Sequence, residues 1–171
     1  MKIIFVSGGS YKSFYLNYYL KLKRCDLLVF NFGVIYDYDL KHENNSLGIV
    51  KPELISIANR LNAIVVAGVN VIDNGQMKKS ILICDGKTIT LKPAEIGTYL
   101  IIKNRHFVIG NEKCKAHANN KIILSKKRMY PIASHCSVRK VYVFCDEFGL
   151  CLVQNGKIKR KFNKYSKIIL K

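Results

Sequence analysis

The order of apolar runs over residues 2–69 constrains this chain more than any other feature. Lys2–Val6, closed by Gly8-Gly9, is one run; Leu27–Phe30 is a second and Ala63–Val69 a third. Each is short and continuously apolar, the pattern of a parallel strand covered on both faces. Between the first two, Ser10 is placed to N-cap a helix running through Lys23. Tyr11, Phe14, Tyr15, Tyr18, Tyr19 and Leu22 recur there at intervals of three and four and form one face. Between the second and third, Pro52 suits the first turn of a helix whose Leu54, Ile57, Ala58 and Leu61 face inward. A β-α-β-α-β order with short connections predicts a right-handed, mostly parallel unit over 1–69, with both helices on one face of the sheet.

Beyond Val69 the pattern changes to hairpins. Asn74-Gly75 and Asp85-Gly86 are tight-turn dipeptides separating Val69–Ile72, Ser80–Cys84 and Thr88–Leu91. Strand-like runs follow at Thr98–Ile102, His106–Ile109, Ile122–Leu124, Val141–Cys145, Leu150–Val153 and Ile158–Phe162, with Asn155-Gly156 joining the last two. No repeat or linker divides the chain. The expectation is one α/β domain over 1–171: helices on the sheet in the first half, and a β-hairpin-rich second half over 70–171.

Read together, Asp26-Leu-Leu-Val-Phe30-Asn-Phe32, the helix 53–61, Ile64–Val69, Asn74-Gly75, the strand Ser80–Cys84 with Asp85-Gly86, and Leu91-Lys92 resemble the N-terminal half of the carbon–nitrogen hydrolases, the nitrilase/amidase superfamily. The resemblance implies a nitrilase-like sheet sandwich. It also implies a family domain longer than this chain, which reads as truncated. In that family a cysteine thiolate attacks an amide or nitrile carbon, a glutamate is general base and a lysine stabilises the developing charge. A thiol near its free pKa is mostly protonated at neutral pH and needs such help.

The resemblance implies catalytic roles for Lys92, which follows the strand after Asp85-Gly86, and for Cys145 in Val141-Tyr-Val-Phe-Cys-Asp-Glu-Phe148. Each has a plainer reading. Lys92 also reads as a solvated lysine before Pro93. Cys145 also reads as a buried hydrophobe in a hairpin, because Gly149-Leu-Cys-Leu-Val-Gln-Asn-Gly156 looks like a returning strand, and free cysteine is commonly a core residue. Cys136, beside His135, is a second thiol candidate. Where the family carries its general-base glutamate this chain has Asn31-Phe32, and a phenyl ring accepts no proton. Asp37, Asp39 and Glu43 are the nearest acids in the following loop, and they read as solvated turn residues.

The net charge of +18 is uneven: ten Lys/Arg against seven Asp/Glu in residues 1–85, and nineteen against four in 86–171. Such asymmetry marks a candidate surface for nucleic acid or another polyanion. The clusters are Lys126-Lys127-Arg128, Arg139-Lys140 and Lys159-Arg160-Lys161, with Tyr130, Tyr142 and Phe162 among them. Genome-wide lysine enrichment and protection of sheet edges are the competing explanations.

Six cysteines without paired spacing, and an opening Met1-Lys2-Ile3 unlike a signal peptide, point to a reducing cytoplasm. Cys114-x-x-His117 with His135-Cys136 has zinc-type ligands but no standard spacing. The glycine turn at Val6–Ser10 lacks a phosphate-loop ending. The expectations are therefore no metal, no cofactor and no membrane. The expected partners are a small amide or nitrile if the chain is active, a polyanion if it is a binding module, and a further copy of itself.

Overall fold

The computed structural model describes residues 1–9, 11–35, 46–73, 75–126, 141–147, 149–154, 157–161, 163 and 165–170. The elements are β1 (Lys2–Val6), α1 (Tyr11–Asn17) with a 3-10 turn at Tyr19–Lys21, β2 (Leu27–Phe30), α2 (Ser46–Leu61), β3 (Ile64–Asp73), β4 (Gln76–Cys84) and β5 (Ile89–Pro93). Then come β6 (Thr98–Ile102), β7 (Arg105–Asn111), β8 (Asn120–Leu124), β9 (Val141–Asp146), β10 (Gly149–Gln154), β11 (Lys157–Lys161) and β12 (Tyr165–Ile169).

Two six-stranded sheets form, in the orders β12-β1-β2-β3-β4-β5 and β11-β10-β9-β8-β7-β6. In the first, β1, β2 and β3 run parallel, flanked by antiparallel β12, β4 and β5. The continuous apolar runs of β1–β3 have a direct cause. Alternate side chains leave opposite faces of a strand, so both sets must be apolar when both faces are covered. Ile4, Val6, Leu28, Phe30, Val65 and Ala67 pack with Phe14, Tyr19, Leu54, Ile57 and Leu61 of the helical layer. Ile3, Phe5, Leu27, Val29 and Val66 pack with Phe107, Ile109, Ile122, Leu124, Val143 and Leu150 of the second sheet. Both helices therefore lie on one face of the first sheet, as the crossover rule requires.

Several boundaries differ from expectation. The first helix stops at Asn17 and is followed by the 3-10 turn at Tyr19–Lys21, short of the expected Lys23. Pro52 stands inside α2 rather than in its first turn, at the cost of one backbone hydrogen bond. The run ending at Val69 continues unbroken to Asp73, pairing along its length with β4. The hairpin β6–β7 closes through Lys103 and Asn104, both at positive φ, the type I′ signature.

The second half contains hairpins at β6–β7, β9–β10 and β10–β11, yet β7, β8 and β9 pair parallel. The β7–β8 connection spans residues 112–119 and carries no helix. Parallel order at this point comes from packing against the first sheet, which local turn chemistry does not report. Strand β12 was not foreseen. It returns to β1, where Met1 N donates to Leu170 O at 2.8 Å and Leu170 N donates to Met1 O at 2.9 Å.

Phe14 is fully buried and meets Phe30 edge-on at a centroid distance of 5.1 Å, joining helix to sheet. Phe14→Ala should cost about 3–5 kcal/mol in denaturant unfolding, the usual penalty for an emptied aromatic core position. Asp26 opens β2 with its carboxylate accepting from Lys2 N at 2.6 Å and paired to Lys103 Nζ at 2.7 Å. Burial raises its pKa, but the Lys103 and Lys2 hydrogen bonds outweigh it and hold the carboxyl below its ordinary value. Its stabilisation is complete above the unfolded pKa of about 3.9 and is lost as pH falls through the folded value. Asp26→Asn should thus lower stability at neutral pH and leave a shallower acid limb in pH-dependent unfolding.

Candidate functional site

In sheets of this kind the loops beyond the strand carboxyl ends carry the chemistry. Here β1, β2, β7, β8 and β9 all end on one side of the sandwich, and the first polar residues after their apolar runs converge. Asn31 follows β2. Its side-chain amide donates to Ser7 O at 3.3 Å and to Ser125 O at 2.7 Å, tying the ends of β1, β2 and β8 together. Among the described residues its own buried Oδ1 meets no hydrogen-bond partner. Ser125 N donates to Cys145 O at 3.0 Å, which fixes the end of β8 on β9.

Phe32 stands where the resemblance expects a general base. It is 3% exposed and lies flat against Gly68 of β3, where an added Cβ would come within 2.9 Å of the ring. The absence of a side chain at Gly68 is what gives the ring its place. Above it, Lys79 Nζ sits 5.3 Å from the ring centroid, within cation–π range. The same ammonium pairs with Glu112 Oε1 at 2.7 Å. Glu112 and Ser125 follow the paired residues Asn111 and Leu124 and so lie side by side at the ends of β7 and β8. Burial raises the Glu112 pKa, but the Lys79 ammonium and a backbone N–H, with a smaller contribution from Ser125, outweigh it and hold the carboxyl below its ordinary value. Next to Ser125, the exposed Lys126 lays its side chain along Gly33, whose φ of +82° suits glycine. A cleft of about 520 Å³ adjoins the Lys79–Glu112 pair, with Met77, Pro93, Ile96 and Asn111 among its walls. That volume is in the range of small-molecule sites.

The residues singled out from the sequence are placed differently. Cys145 is fully buried on β9, opposite Leu150, and its thiol donates to Ser7 Oγ at 3.4 Å. Burial pushes its pKa up to about 12 despite that hydrogen bond, with the nearby Asp146 charge adding to the rise. Asp146 accepts from Gly149 N at 3.1 Å in the turn to β10, so the segment is a hairpin. Lys92 is exposed on the edge strand β5, opposite Ile81. Cys145 contacts the end of β1, and four inter-strand spacings separate β1 from β5. At about 4.8 Å each, that is roughly 19 Å across the sheet. Lys92 and Cys145 are not brought together.

Of the basic residues, Lys126 and Lys159 are exposed. Lys127, Arg128, Arg139 and Lys140, the side chains of Arg160 and Lys161, and Asp37, Asp39, Glu43, His135 and Cys136 lie outside the described residues. Cys114 is buried, its thiol 3.8 Å from Ile96 O, and His117 is exposed. No cluster of three or more metal-ligating side chains exists among the described residues. No helix among them is long and apolar enough to cross a membrane.

Lys79, Glu112 and Ser125 were not singled out from the sequence, and Asn31 stood out there only beside Phe32, not as a tie between strand ends. Three of them are the first or second polar residue after an apolar strand, a weak signal that many turn residues share. The polar end of β4 and the ends of β7 and β8 meet only in three dimensions.

No family model and no curated protein matches the chain in sequence. Solved structures do match in shape. A CN-hydrolase superfamily protein from Xanthomonas campestris superposes with a TM-score of 0.66 at 9% identity, over 98% of this chain and 89% of that one. An amidase of the nitrilase superfamily from Nesterenkonia, shown with an acetamide moiety on its active-site cysteine, gives 0.70 at 9% identity, over 98% and 88%. A glutamine-dependent NAD(+) synthetase from Cytophaga hutchinsonii gives 0.62 at 13%, and there the match spans 42% of the longer chain. The fold is the nitrilase fold, and the likeness extends over both sheets rather than only the half that carries the sequence resemblance.

The burial of Cys145 makes a direct prediction. In native protein at neutral pH its thiol should resist a disulfide or maleimide reagent that labels the partly exposed Cys151. Peptide mapping should find Cys145 modified only after denaturation.

Proposed function

We propose that this chain is a carbon–nitrogen hydrolase-fold protein in which thiol-dependent hydrolysis of amides and nitriles has been lost. One observation carries the reading: Phe32, which the resemblance sets at the general-base position, is buried on Gly68. Removing a general base typically costs about 10²–10⁴ in rate. The state of Cys145 supports the same reading, since a thiol with a pKa near 12 supplies almost no thiolate at neutral pH. Lys92 is too far from that sulfur to stabilise charge developing on a carbon bonded to it. The test is turnover of a panel of simple amides and nitriles by the wild type and by Cys145→Ala. Both proteins should show the same background rate. Robust turnover that disappears with Cys145→Ala would overturn the reading.

A second reading rests on the charge of the second half, nineteen basic residues against four acidic. In this reading the chain binds a polyanion, with Lys126, Lys127, Arg128, Arg139, Lys140, Lys159, Arg160 and Lys161 as the contributing groups. The exposure of Lys126 and Lys159 supports it. Affinity for an oligonucleotide should then fall by about 0.7–0.9 log units per log of salt for each phosphate neutralised. Charge reversal of Lys126, Lys127 and Arg128 to Glu should weaken binding equally for every sequence, since phosphate contacts carry no base information. Absence of binding at low salt would leave the lysines without this role.

A further inference from the structure

We infer that β6 is a self-association surface: two copies of this chain pair their β6 strands antiparallel and join their second sheets edge to edge. The property is independent of whether the chain hydrolyses anything. β6 ends its sheet, and among the described residues no strand lies beyond it. A sheet edge presents unpaired N–H and C=O groups, and folded proteins block such edges with charged residues or proline. Three of the four edges of the two sheets are blocked in this way. β5 ends in Lys92-Pro93, β11 reads Lys157-Ile-Lys-Arg-Lys161, and β12 carries the exposed Lys167. β6 reads Thr98-Tyr-Leu-Ile-Ile102, with no charge and no proline, and its Tyr99 and Ile101 side chains are each 64% exposed.

The hairpin to β7 fixes which groups this edge offers. Ile102 and Arg105 flank the two-residue turn at Lys103-Asn104 and form its closing hydrogen-bonded pair. Bonded and non-bonded pairs alternate along an antiparallel ladder, so Tyr99 and Ile101 direct their N–H and C=O away from β7. A two-fold axis through Leu100 then sets Tyr99 opposite Ile101 of the second copy, and Ile101 opposite its Tyr99. Each of those pairs exchanges two backbone hydrogen bonds. Each also matches an aromatic with a β-branched side chain on one face, a favourable cross-strand combination. Thr98, Leu100 and Ile102 alternate to the other face. There Leu100, partly buried against the inter-sheet core, meets the Leu100 of the second copy.

Charge selects a second copy as the occupant. A chain of net charge +18 repels itself over most of its surface. Ile96–Ile102 carries no charge, and Lys103 beyond it is paired with Asp26 at 2.7 Å. At β6, therefore, two such chains approach without setting like charges together, and the edge is complementary to itself. A single five-residue pairing is small beside a standard interface, so the dimer is reversible and depends on concentration. Salt screens the repulsion between the two cationic bodies and leaves backbone hydrogen bonds and apolar contacts in place, so association strengthens as ionic strength rises. A nucleic acid bridging two copies would respond in the opposite sense.

The test is sedimentation velocity of the nuclease-treated full chain, over about 1–500 μM protein and up to about 0.5 M sodium chloride. The 19.5 kDa monomer should give way to a species of twice that mass as protein and salt increase. Tyr99→Lys with Ile101→Lys sets like charges opposite each other at both pairs and should weaken the dimer by at least about tenfold. Tyr99→Glu with Ile101→Lys sets opposite charges there and should retain it. Ile158→Lys, at an exposed position on the edge strand β11, should leave the dimer unchanged. A wild type that is monomeric at every concentration and salt would overturn the inference, as would a dimer that survives the double lysine variant. Loss of the dimer in both double variants would overturn the Leu100-centred pairing. A dimer dissolved by salt would overturn the inference in favour of assembly on a polyanion. None of these outcomes bears on the loss of thiol hydrolysis, which turnover alone decides.

Discussion

Everything in this structure depends on burying the three parallel strands β1, β2 and β3 on both faces. One set of alternating side chains meets the helical layer and the other meets the second sheet. A sheet covered on one side only would need alternating polarity, and these runs have none. The second sheet is therefore required by the first: Ile3, Phe5, Leu27, Val29 and Val66 would otherwise face water. At about 25 cal/mol per Å² of apolar surface, exposing that face would remove more than a small domain's margin of stability. The same constraint sets the direction of the strands. It places the carboxyl ends of parallel strands from both sheets on one side of the sandwich.

That placement gives the fold a polar rim, and this chain has filled its rim in its own way. An aromatic ring packs on Gly68, and a lysine sits over the ring with a glutamate from the opposite sheet as its counterion. Phe32 and the Lys79–Glu112 pair are physically linked. The same ammonium, Lys79 Nζ, faces the ring and pairs with Glu112 at 2.7 Å. Asn31 ties the strand ends together beneath it. The burial of Cys145 belongs to the same picture, since its sulfur packs under that rim against Ser7.

The sequence alone determined the β-α-β-α-β unit, the helices on one face and the burial of its strands on both faces. Runs such as Ile3–Val6 and Leu27–Phe30 encode burial on both sides locally, residue by residue. The family resemblance also set a phenylalanine where the general base is expected. What it did not carry is how β7, β8 and β9 pair. A hairpin and a parallel crossover use the same short apolar strands, and only packing against the first sheet chooses between them. Strand β12 was illegible for a related reason: its partner β1 lies at the other end of the chain. The site divided along the same line. Lys92 and Cys145 stood out by their neighbours in sequence, yet opposite regions of the sandwich received them. Lys79, Glu112 and Ser125 carry no local mark, and tertiary structure alone joined them, because contact between the ends of different strands is a property of sheet order and not of spacing along the chain.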